Sequence, residues 1–187
     1  MDLINLREAR SFKVRTLVEG LDGKTLSDQA NQVQAAADDR TPVAKPDLST
    51  LAGGHSIFVK LEVSDAAGAP VSDNFYWWSA NEASLRELNS LPTATLSASA
   101  ASATANGERT VTVQIKNTGS MAALMIKLTL TDAATGQRIL PAYYSDNYVS
   151  LLPGGQRTVT VAFAAGGAKP AIGMRGWNLA TQTVPVQ

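Results

Sequence analysis

Apolar and polar residues alternate along most of this chain. Phe12, Val14, Thr16 and Val18 fall on one side of an extended segment, with Lys13, Arg15 and Leu17 on the other. A period of two is that of a strand half buried in a sheet. Ile57, Val59, Leu61 and Val63 repeat the pattern, as do Val111, Val113 and Ile115, then Met125–Leu130 and Thr158–Phe163. Asp22-Gly23, Ala66–Ala69 and Asn117-Thr118-Gly119 supply turns between them, because these residues accept turn conformations cheaply. Counting such runs predicts about four or five strands before residue 80 and about six or seven after residue 93, at the spacing of β-sandwiches.

Three stretches interrupt the alternation. Asp38–Gly54 is rich in Pro, Asp, Thr and Gly and reads as mostly loop. Ser97–Gly107 is low in complexity, yet its small residues suit an edge strand. Glu82–Asn89 has Leu85 and Leu88 three apart, a short helical turn that ends before Leu91-Pro92, since proline disfavours helix in the residue before it. The pattern therefore predicts an all-β chain of two tandem sandwiches, residues 1–80 and 93–187, joined by a linker over residues 81–92. No segment reads as a parallel α/β unit.

The two predicted sandwiches share sequence. Ile57–Ser79 reads IFVKLEVSDAAGAPVSDNFYWWS and Leu124–Gly154 reads LMIKLTLTDAATGQRILPAYYSDNYVSLLPG. Lys60-Leu61 matches Lys127-Leu128, Asp65-Ala66-Ala67 matches Asp132-Ala133-Ala134, and each stretch carries a Ser-Asp-Asn triplet beside aromatic residues. One kind of β unit is used twice.

Composition narrows the function. The 187 residues include 16 basic and 16 acidic side chains, so no charge excess calls for nucleic acid or an anionic membrane. No run of 18 apolar residues occurs, and the start, Met1-Asp2-Leu3-Ile4, lacks the basic and long apolar regions of a signal peptide. Cysteine is absent, which excludes disulfides, thiolate metal sites and cysteine nucleophiles.

Candidate chemistry is sparse. His55 is the single histidine and stands in a Gly-Gly-His-Ser loop. No nucleophile elbow accompanies it, and one histidine without cysteine does not make a zinc site. Neither Asp73-Asn74 nor Asp146-Asn147 has calcium-loop spacing; side-chain bonds to nearby backbone N–H groups explain such pairs more simply. No metal or other cofactor is expected. Phe75-Tyr76-Trp77-Trp78 must alternate, so one face is core and the other is either a domain contact or a sugar-stacking platform. Tyr76, Trp77 and Trp78 are the candidates there. Tyr143, Tyr144, Asp146, Asn147 and Tyr148 form a second cluster on a loop, a candidate for a substrate rim or an interdomain contact. Trp177 is expected in the core.

Three ordered motifs carry a resemblance to a known family: Ser72-Asp73-Asn74-Phe75-Tyr76-Trp77, then Leu88-Asn89-Ser90-Leu91-Pro92, then Tyr144-Ser145-Asp146-Asn147-Tyr148 with Leu151-Leu152-Pro153-Gly154. Together they resemble the C-terminal immunoglobulin-like domains of glycoside hydrolase family 2 enzymes of the exo-β-D-glucosaminidase and β-mannosidase branch. Gly155 stands where that family usually has Glu, and Trp78 extends the aromatic run. The resemblance implies two immunoglobulin-like sandwiches, the first beginning late, with Leu3-Ile4-Asn5 as the rest of a strand. It implies a (β/α)₈ barrel elsewhere in the parent polypeptide as partner, a retaining mechanism on two barrel glutamates, and export to periplasm or medium. The chain itself is too short, and too poor in helix, to hold that barrel. Asn81-Glu82 mimics the family's acid/base pair, but here it lies after a sandwich strand. The expectation is a non-catalytic accessory region that buttresses the barrel, with a carbohydrate-binding module gripping oligo- or polysaccharide as the alternative.

Overall fold

The alternation around Phe12 builds the long strand β2 (Arg10–Gly20), and β2 organises the first of two units into which the chain divides. The computed structural model describes all residues from Met1 to Gln187, with unit 1 over Met1–Ser90 and unit 2 over Leu91–Gln187. Both are all-β, with antiparallel sheets of the immunoglobulin-like kind.

Unit 1 also contains β1 (Asp2–Asn5), β3 (Thr25–Ala35), β4 (Asp39–Pro42), α1 (Leu48–Ala52), β5 (Ile57–Asp65) and β6 (Pro70–Trp78). Its main sheet has the order β3-β2-β5-β6, and β1 pairs with β4 in a separate two-stranded ladder. Val14 lies opposite Val63, and Val18 opposite Val59, so the predicted apolar rows meet on one face. That face is covered in two patches. Met1, Leu3 and Val43 pack on Val14, Val33 and Val63, while Leu48, Leu51 and Ala52 of α1 pack with Val18, Ile57, Val59 and Trp78. On the opposite face Arg15 bridges Asp28 at 2.8 Å and Glu62 at 2.9 Å, and Lys60 meets Glu62 at 2.7 Å.

Two sequence expectations need correction here. Asp38–Gly54 is not mostly loop, for it holds β4 and α1. Asp47 caps α1 by accepting from the Ser49 and Thr50 backbone N–H groups and from both hydroxyls, and these bonds lower its carboxyl to about 2. Gly53, at φ 55°, ends the helix. The residue types that looked like loop are the ones that start and stop a short helix.

Residues 81–90 are likewise not a free linker. Asn81 caps α2 (Glu82–Leu85), which runs into a 3₁₀ turn over Arg86–Ser90. Ser84 and Leu88 are buried. Ser84 donates to the Gly54 carbonyl at 2.6 Å, and Ser56 donates to the Ser84 carbonyl at 2.8 Å. Glu87 accepts from the Ser56 N–H and sits 3.1 Å from His55 Nδ1, bonds that hold its carboxyl below the usual range. The segment belongs to unit 1.

Unit 2 has β7 (Leu96–Ala105), β8 (Glu108–Asn117), β9 (Ala123–Asp132), β10 (Ala142–Tyr144), β11 (Val149–Leu151), β12 (Gln156–Ala164), β13 (Pro170–Gly176) and β14 (Leu179–Pro185). They form two four-stranded sheets, β10-β12-β8-β7 and β11-β9-β13-β14. Val111, Val113, Ile115, Val159, Val161 and Phe163 from one sheet share a single core with Ile126, Leu128, Leu130, Ile172 and Met174 from the other. Full burial of each such side chain contributes about 1.5–3 kcal/mol. The low-complexity stretch becomes β7, paired with β8 from Leu96 to Ala105. Buried Asn178 accepts from the Leu124 N–H and donates to the Ala122 and Pro92 carbonyls. Beside it Gly176 has no room for a side chain, because a Cβ there would stand 2.7 Å from the Leu124 oxygen.

Candidate functional site

The second Ser-Asp-Asn triplet lies between β10 and β11 and joins the two sheets of unit 2. The Ser145 hydroxyl accepts from the Thr160 N–H at 2.9 Å, while the Ser145 N–H donates to the Thr160 carbonyl. Asp146 accepts from the Asn147 N–H at 2.8 Å and lies 3.4 Å from Arg157 Nε. Asn147 behaves like a piece of strand: its Oδ1 accepts from the Leu128 N–H at 2.8 Å and its Nδ2 donates to the Leu128 carbonyl at 3.0 Å. The same Oδ1 accepts from the Tyr148 N–H. One sheet is thus clasped through β12 and the other through β9.

The tyrosines divide by role. The Tyr144 hydroxyl accepts from the Leu130 N–H at 2.7 Å, and its ring packs against the core. Tyr143 and Tyr148 face outward, 69% and 50% exposed. Tyr148 has φ 56°, a region that side-chain-bearing residues seldom occupy. Its ring is approached by Lys127 Nζ at 5.4 Å from the centroid, within cation–π range. Of the five residues singled out from sequence, Tyr144, Asp146 and Asn147 build the loop, and Tyr143 and Tyr148 are presented by it.

The aromatic run of unit 1 does not make one platform. Tyr76 and Trp78 lie opposite Val59 and Ile57, whereas Phe75 and Trp77 lie opposite Lys60 and Phe58 on the other face. Trp78 is partly buried and packs against the core cluster of Val18, Ala52 and Ile57. Tyr76 is 50% exposed and Trp77 39%, but on opposite faces, as a strand's period of two requires. The first Ser-Asp-Asn is a stretch of regular strand: Ser72, Asp73 and Asn74 stand in register with Val63, Glu62 and Leu61. Trp177 is 53% exposed rather than core, because it lies beyond the end of β13 in the turn to β14.

No group of three or more His, Asp or Glu side chains converges as a metal site. Glu82 is exposed in the first turn of α2, and His55 is exposed beside Glu87. One carboxylate missed from the sequence is Glu19, only 7% exposed, with Oε2 lacking a partner. Burial raises its pKa, while the charges of Arg15 and Lys60 act the other way. The alternation gave no sign of it, since a period of two puts Glu19 on the side of Lys13, Arg15 and Leu17; its burial comes with its place opposite buried Phe58.

Residues 74–179 match the family described as the exo-β-D-glucosaminidase Ig-fold domain. The chain belongs to that family. Among its relatives, exo-β-D-glucosaminidase of Amycolatopsis orientalis is 34% identical over 78% of this chain and 16% of its own length. The enzyme of that name from Streptomyces avermitilis is 35% identical over 67% of this chain and 16% of its own. The chain thus spans about one sixth of the length of the curated relatives it matches. The crystal structure of Amycolatopsis orientalis exo-chitosanase superposes on 98% of the chain with TM-score 0.86 and 31% identity, using 25% of that enzyme. A β-D-mannosidase from Dictyoglomus thermophilum shares the fold alone, at TM-score 0.58 and 15% identity.

Proposed function

We propose that this chain is the non-catalytic accessory region of a larger family 2 glycosidase of exo-β-D-glucosaminidase type, where it buttresses a catalytic barrel and shapes the entrance for amino-sugar substrate. The observation that carries the reading is the similarity over 98% of the chain to an exo-chitosanase of which it accounts for only 25%. The chemistry of its own residues agrees. A retaining glycosidase needs two carboxyls about 5–5.5 Å apart, one of them acting as acid. Glu82 sits on an exposed four-residue helix, and Glu19 lies near Arg15 and Lys60, the two cations that Glu62 bridges.

The test is hydrolysis of p-nitrophenyl β-D-glucosaminide and β-D-mannoside by the purified 187-residue chain. The expected rate is that of buffer. Turnover that Glu82→Gln or Glu19→Gln abolishes would overturn the reading.

The outward rings of Tyr143 and Tyr148 favour a second reading, in which the loop touches glycan directly. A change in tyrosine fluorescence with chitosan oligomers, lost in Tyr143→Ala, is its signature. Flat titrations to millimolar concentration remove it.

A further inference from the structure

On the outer face of the β11-β9-β13-β14 sheet, Arg175 is the direct cross-strand partner of Lys127. Side chains of directly opposed residues on antiparallel strands are neighbours, and like charges there are unfavourable. No carboxylate lies within ion-pair distance of either cation. Elsewhere the chain neutralises such groups: Arg15 meets Asp28 and Glu62, and Lys60 meets Glu62. Next in the same row stands Tyr148, half exposed, with Lys127 over its ring and its backbone held at φ 56° by the Asn147 clasp. Met125, also outward and 37% exposed, is two residues from Lys127 on the same strand and likewise has positive φ. The row is therefore an exposed Tyr, Met and Arg beside a second cation, the residue types enriched where proteins dock on one another.

We infer that the Tyr148–Lys127–Arg175 row docks a carboxylate-bearing surface of the remaining polypeptide of the parent enzyme. The inference rests on the proposed function and adds which face is used and with what chemistry. Two observations select this occupant. The relatives carry about five-sixths of their length outside the matched region, so most of the parent's surface lies elsewhere. The row is also cationic, and chitosan, a polymer of glucosamine, is cationic too; the glycan expected from the relatives is repelled here. An acidic protein surface satisfies both cations and covers the tyrosine, and it removes the like-charge repulsion that the free chain tolerates.

The polypeptide that the same gene encodes outside these 187 residues, produced separately, is titrated calorimetrically with the chain at 25 and 300 mM NaCl. Binding is expected at low salt, at least tenfold weaker at high salt, and at least tenfold weaker for the K127E/R175E double variant. Circular dichroism checks that this variant folds, and the milder Arg175→Thr variant replaces it if it does not. Arg175→Thr should also weaken binding while holding or raising the melting temperature of the free chain, a combination that a merely structural residue does not give. Binding indifferent to both variants overturns the inference and leaves the proposed function standing, with another face in use. Binding of polygalacturonate that disappears in the double variant also overturns it, moving the row to an acidic glycan. Failure to bind under every condition, or a gene encoding nothing further, overturns both.

Discussion

Lys-Leu, Asp-Ala-Ala and Ser-Asp-Asn occur in the same order in both units, and the chain treats them alike only as far as the turn. Asp65 accepts from the Ala67 and Ala69 N–H groups, and Asp132 accepts from that of Ala134, so both copies leave their strand through an aspartate-locked turn. After it, unit 1 folds back on itself: β6 pairs with β5, and Ser72-Asp73-Asn74 is ordinary strand. In unit 2 the chain crosses to the other sheet, where β10 pairs with β12, and Ser145-Asp146-Asn147 becomes the return link that clasps β12 and β9. The difference teaches that a short polar motif carries hydrogen-bonding capacity and no fixed use. Topology decides whether that capacity clasps the backbone of two sheets or lies along a regular strand.

The comparison is sharpest at the asparagines. Asn147→Ala removes both bonds to Leu128 and the one to Tyr148, leaving backbone groups of β9 unpaired. The expected loss is roughly 2–4 kcal/mol, a fall of about 10 °C or more in melting temperature for a domain of this size. Asn74→Ala should stay within about 0.5 kcal/mol. Urea denaturation followed by circular dichroism checks both, and equal losses would erase the distinction between the copies.

The shared turn should behave the other way. Asp65→Ala and Asp132→Ala each remove a turn-locking acceptor, and each should cost about 1 kcal/mol. A markedly larger loss at one of them would show that the copies already differ before the turn ends.

The smallest effect concerns charge. Unit 1 buries Glu19 near Arg15 and Lys60, and burial raises its pKa. A raised folded pKa means that the contribution of Glu19 is complete below the unfolded value, about 4.3, and is lost as pH rises through the folded value. Glu19→Gln should therefore raise the melting temperature by a few degrees at pH 7 and by nothing at pH 4. Asp47 has the opposite sign: its carboxyl is lowered to about 2, so the cap of α1 is fully formed above pH 4 and fades as pH falls towards 2. Thermal melts across pH 2–7 read both.

Much of this was legible in the residues. The rows Phe12–Val18, Ile57–Val63 and Val111–Ile115 announced their strands and inner faces, because a period of two survives whatever the strand pairs with. The resemblance of the Ser-Asp-Asn motifs pointed to the family that the comparisons then showed. The short elements were not legible. β4 and α1 lay hidden among Pro, Asp and Gly, and residues 81–90 looked like a linker because their attachment consists of hydrogen bonds from Ser84 to the Gly54 carbonyl and from Ser56 to the Ser84 carbonyl and the Glu87 carboxylate, about 30 residues away.

By itself, then, the sequence determined that the chain is all-β, which residues face inward in its long strands, and to which family it belongs. Alternation and local turn chemistry act over a few residues and need no partner. Only the tertiary structure decided that Asn147 is a clasp while Asn74 is not, that Trp78 packs against a core while Trp177 lies outside one, and that Lys127 stands against Arg175 beside Tyr148. Each of those depends on how segments far apart in the sequence meet, as Leu128 with Asn147, Lys127 with Arg175 and Val18 with Trp78, and that is set by packing sheets around a core.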